Sequence, residues 1–66
     1  MSHVFDAFKA TRESNGHTVT SLAKLINVSD RLIFTLENGG EVDNAIAQRL
    51  ADALGQSIAT LGGREI

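Results

Sequence analysis

Sixty-six residues make one domain and no more, and a chain of this size buries only about 60% of the surface it exposes when unfolded. There is no cysteine for a disulfide framework or for thiolate metal ligation, and no apolar run approaches the roughly 20 residues that span a membrane. Six Lys and Arg against eight Asp and Glu give a formal charge of −2, which counts against a strong polyanion binder, because counterion release supplies much of nucleic-acid affinity.

The apolar spacing predicts helices throughout. Ser2 is placed to cap a first helix bearing Val4, Phe5, Ala7 and Phe8, stopped at Asn15-Gly16. Thr18 caps a short second helix carrying Val19, Leu22, Ala23, Leu25 and Ile26, and Asn27 follows as the best non-glycine residue for a left-handed turn. Ser29 caps a third helix holding Leu32, Ile33, Phe34 and Leu36, which stops at Asn38-Gly39-Gly40. Asp43 caps a fourth, with Ile46, Ala47, Leu50, Ala51, Ala53 and Leu54 on its inner side and Gly55 at its end. Ser57 starts a last short turn with Ile58 and Leu61. No stretch alternates with period two for long enough to prefer a strand. The expected fold is therefore all-α, a compact five-helix domain over residues 1–62 with a frayed tail at 63–66.

The informative stretch runs from Val19 to Asn38. Two short helices separated by a few residues can cross steeply only where the first carries a small residue, which Ala23 provides. The bend needs a residue that tolerates positive φ, which is Asn27, and the second helix must plug the angle with apolar side chains, here Val28, Ile33 and Leu36. Small at the fifth position, turn-former at the ninth, aliphatic at the tenth, fifteenth and eighteenth: this is the spacing of a helix-turn-helix.

The run from Gly16 to Ser29, then Ile33, then Leu36-Glu37-Asn38-Gly39, resembles the Cro-like, XRE-type (lambda-repressor-like) helix-turn-helix family, as does Arg49 to Ile58. The likeness covers roughly residues 4–61. It implies a DNA-binding transcription regulator, a repressor in type, that inserts its third helix into the major groove as a homodimer on a two-fold operator; the absence of cysteine and of an apolar span fits a cytoplasmic location. By position, Asp30, Arg31, Phe34 and Thr35 would face base edges, with Leu32 near the backbone. The start of helix two (Thr18, Val19), Ser29 and Asn38 would meet the DNA backbone. Arg12 and Glu37 would form a partly buried structural ion pair. Ile58 and Leu61 are the candidates for the two-fold contact, because so short a chain has little else to offer.

The sequence departs from the family pattern in four places. Val19 stands where a phosphate-anchoring glutamine is common, and Asp30 opens the recognition helix with a carboxylate that could accept from a cytosine amino group. The loop Gly40-Glu41-Val42-Asp43 is acidic, and Leu32 and Phe34 put apolar side chains on the DNA face. From Ser29 to Asp43 one arginine faces four carboxylates, a net −3, or −2 with Glu37 paired to Arg12.

Arg31 can fork onto guanine O6 and N7 or remain a solvated charge, and Thr35 can meet a thymine methyl or water. Phe34 has three readings: stacking on thymine methyls, folding into the core, or anchoring a protein partner. The last supports an alternative function, a protein-interaction module such as a toxin-neutralising antitoxin or a phage protein binding a host factor through Leu32 and Phe34. His3 and His17 read as surface residues without a metal-ligand cluster. Glu41 and Asp43 read as a loop and a helix cap. No nucleophile, phosphate loop or cofactor motif is present, so neither an enzyme nor a cofactor is expected.

Overall fold

The computed structural model describes residues 2–66. In chain order it has strand β1 (Ser2–Phe5), helices α1 (Phe8–Ser14), α2 (Val19–Leu25) and α3 (Asp30–Glu37), strand β2 (Val42–Asp43), helix α4 (Asn44–Leu54) and strand β3 (Gly63–Glu65). The strands form one antiparallel sheet in the order β2-β1-β3, with His3 opposite Val42 on one side and Glu65 on the other. The domain is therefore a small mixed α/β fold of four helices and a three-stranded sheet, which overturns the all-α, five-helix expectation.

Each of the three differences traces to named backbone hydrogen bonds. Ser2–Phe5 does not begin a helix, because its partners come from the far end of the chain: Asp6 donates its N–H to Gly62 O at 3.0 Å, and Ile66 donates to Ser2 O at 3.0 Å. His3 and Phe5 then point into the core while Ser2 and Val4 point out, the period-two pattern of a strand. Residues 57–61 make a single turn instead of a fifth helix. It closes where Gly62 turns left-handed (φ 87°), with Gly62 N–H on Ala59 O and Gly63 N–H on Ile58 O. Glycine is required there, since a Cβ on residue 62 would lie 2.8 Å from Asp6 O. Residues 63–65, expected to fray, are paired to β1.

The remaining helix ends follow the same chemistry. At the end of α2, Asn27 takes φ 59°, Asn27 N–H reaches Lys24 O and Val28 N–H reaches Ala23 O at 2.9 Å, so the bend satisfies two carbonyls. The Asp43 carboxylate accepts from Ile46 N–H at 2.9 Å and caps α4.

The core gathers Phe5, Phe8, Leu22, Ala23, Ile26, Ile33, Leu36, Val42, Ala47, Leu50, Ala51 and Leu61. Phe5 and Phe8 meet edge to face, their ring centres 5.5 Å apart. The sheet thus brings Phe5 and Val42 into the apolar interior that the helices line. His3 is also buried, at 6% exposure with its Nδ1 unpartnered, so its reading as a surface residue is corrected: it occupies an inward position of the central strand.

Ala7 links β1 to α1 in the left-handed region (φ 52°, ψ 39°) and offers no side-chain cap. An L-residue there costs about 1–2 kcal/mol, whereas glycine relieves the strain but loses roughly 0.5–1 kcal/mol through its freer unfolded chain. Ala7→Gly is therefore expected to stabilise the fold by roughly 0.5–1 kcal/mol. Urea titration checks this; a lowered midpoint would show that Ala7 is not strained.

Candidate nucleic-acid interface

Helices α2 and α3 contribute Leu22, Ala23, Ile33 and Leu36 to the common core, each at 0–1% exposure. Ala23 is the small residue buried on α2, and Val28 and Leu32 are partly buried against the same core. The start of α2 is fixed by reciprocal bonds: Thr18 Oγ1 accepts from Ser21 N–H at 3.0 Å, and Ser21 Oγ accepts from Thr18 N–H at 3.1 Å. His17, half-buried, sets its Nδ1 3.0 Å from the same Ser21 hydroxyl.

A buried ion pair locks α3 to the rest of the domain. Arg12 Nε donates to Glu37 Oε2 at 3.0 Å, both side chains being about nine-tenths buried, and Arg12 Nη1 donates to His17 O at 2.7 Å. One guanidinium thereby joins α1, the entry to α2 and the last residue of α3.

On the outer face of α3, Asp30, Arg31 and Phe34 are exposed, and Phe34 keeps 52% of its surface in solvent. Arg31 makes no side-chain hydrogen bond or ion pair among the described residues, whereas Asp30 Oδ2 accepts from Thr20 Oγ1 at 3.1 Å. Thr35 is half-buried and gives its hydroxyl proton to Arg31 O at 3.1 Å. Its methyl crowds Gly40 so closely that a Cβ there would lie 2.5 Å away, which turns Thr35 toward the following loop. Leu32 packs partly against the core. Val19 is half-buried against the same core, while Thr18, Ser29 and Asn38 lie exposed at the helix ends. The Ser29 side chain makes no capping bond.

The four carboxylates between residues 29 and 43 are not equivalent. Glu37 is paired with Arg12, Asp43 caps α4 and Asp30 is held by Thr20, which leaves Glu41 without a hydrogen-bond partner among the described residues. Thr20 had no signal in the sequence, since it faces Asp30 only once the two helices cross. Leu25, 50% exposed at the end of α2, is a further large apolar side chain on the surface.

Ile58 and Leu61 are not brought together as a surface. Leu61 is fully buried within the chain and has no area left for a partner, whereas Ile58 is half-buried beside Gly63. Among the described residues no group of three or more His, Cys, Asp or Glu is arranged to hold a metal ion, and no helix is long and apolar enough to cross a membrane.

No curated protein and no solved structure gives a significant match to the chain. A family model described as helix-turn-helix matches residues 8–61, spanning α1 to the turn at Leu61 and leaving β1 and β3 outside it. With that match over most of its length and the α2–α3 pair built as described, the chain belongs to the Cro/XRE-like helix-turn-helix family of DNA-binding regulators.

Proposed function

We propose that the chain is a sequence-specific repressor that places α3 in the major groove and acts as a homodimer on a two-fold operator, with half-sites about one helical turn apart. The observation that carries this reading is the side chain of Arg31, exposed on the outer face of α3 and free of any intramolecular partner among the described residues. An unengaged guanidinium on a helix of this family is available to fork onto guanine O6 and N7. The pairing of Glu37 with Arg12 removes one negative charge from the account of that face, though Asp30, Glu41 and Asp43 remain and predict a shallow salt dependence. Gel shift at low salt on the DNA flanking the protein's own gene is the test. Arg31→Ala is expected to cost about 1–3 kcal/mol of specific affinity. Equal binding by wild type and variant would remove Arg31 from the interface.

The exposure of Phe34 favours a second reading, a protein-interaction surface of the antitoxin or host-factor-binding kind. Leu32 contributes less to it, because that side chain already packs against the core. Phe34→Ser separates the two. Loss of a co-purifying protein with operator affinity intact supports the second reading, and loss of operator affinity alone supports the first.

A further inference from the structure

We infer that Thr20 is a positioning residue for base recognition: by holding the Asp30 carboxylate at the opening of α3, it makes the protein select cytosine at one position of each half-site. The inference deepens the proposed function and rests on its premise that α3 enters the major groove.

Thr20 Oγ1 gives its single hydroxyl proton to Asp30 Oδ2 at 3.1 Å, across the turn between α2 and α3. Asp30 is exposed, and Oδ1 has no hydrogen-bond partner among the described residues. The side chain is thus a tethered acceptor whose second oxygen remains free. An untethered aspartate could swing into solvent when it met an unsuitable base; a tethered one has lost part of that escape.

A carboxylate accepts and cannot donate, so the base edges in the major groove sort themselves against it. Guanine presents two acceptors, O6 and N7, and thymine presents O4 beside a methyl group. Adenine offers its amino group next to the N7 acceptor, while cytosine offers the N4 amino donor alone. Cytosine is the base that satisfies Oδ1 without setting another lone pair against the carboxylate. The adjacent Arg31 is unpaired and carries the complementary requirement, donors only, which guanine answers. Its charge also offsets the repulsion between Asp30 and the phosphates. Together the two residues call for G·C pairs where the start of α3 meets the groove.

The role of Thr20 can be separated from ordinary helix packing because its side chain is exposed and valine has nearly its shape. The experiment is selection of bound duplexes from a randomised double-stranded DNA pool at low salt, followed by sequencing, with thermal melting of each variant to show that it is folded. Wild type and Thr20→Ser are expected to enrich cytosine at the same half-site position. Thr20→Val is expected to weaken that preference about tenfold, equivalent to about 1.4 kcal/mol, while the preferences elsewhere in the site persist. Asp30→Asn removes the charge and supplies a donor; it is expected to lose the cytosine preference and to bind arbitrary duplex DNA more tightly. A base preference in Asp30→Asn or in folded Thr20→Val that matches wild type at every position overturns the inference and leaves the groove reading standing. Failure of wild type to enrich any DNA overturns the groove reading and this inference with it.

Discussion

Replacing Glu37 with Leu is expected to destabilise the domain by about 3–5 kcal/mol, the cost of leaving one partner of a buried ion pair unmatched. The figure applies because Arg12 and Glu37 retain only about a tenth of their side-chain exposure, so water cannot replace the lost carboxylate. For a chain of this length, total stability at roughly 0.05–0.15 kcal/mol per residue is of the same order, so the single variant should lose a large share of its stability and unfold at a much lower urea midpoint. Arg12→Met should be nearly as damaging, since it strands the carboxylate and also deprives His17 O of its 2.7 Å donor. The double variant, Arg12→Met with Glu37→Leu, should recover much of the loss, because two apolar side chains need no desolvated charge to be matched. Urea denaturation of the four proteins measures this as a double-mutant cycle. Additive losses in the double variant would mean that the pair does not act as a unit.

The second large effect concerns Leu61. Truncating this fully buried side chain to alanine is expected to cost about 2–5 kcal/mol through lost transfer energy and the space left behind. The damage should spread, because Leu61 immediately precedes the Gly62 turn that delivers β3 to β1. The change in urea midpoint should be the same at low and at high protein concentration, as befits a side chain buried within one chain. If the destabilisation faded on raising the concentration, Leu61 would be contributing to association after all.

The flanks of the chain show why the fold class was not legible. Val4, Phe5, Ala7 and Phe8 satisfy helical spacing, and four residues of strand are too few to announce a period of two. What decides their conformation is contact with Val42 some forty residues away and with Gly63–Glu65 near the other end of the chain. The family model runs from residue 8 to residue 61, so neither β1 nor β3 falls within it. The same limit applied to Leu61: an apolar residue near the end of a short chain looks free for a partner until the turn before it is folded back onto the core.

Within the helix-turn-helix, by contrast, local chemistry is sufficient. Ala23, Asn27 and Val28 constrain a bend whose hydrogen bonds all close within six residues, and the stops at Gly16, Gly39 and Gly55 each coincide with a left-handed backbone. These features belong to the sequence because they depend on φ preferences, caps and 3.6-residue periodicity, which neighbouring residues alone set. The Thr20–Asp30 bond, the burial of His3 and Leu61 and the sheet itself depend on which distant surfaces meet, and only tertiary packing determines that.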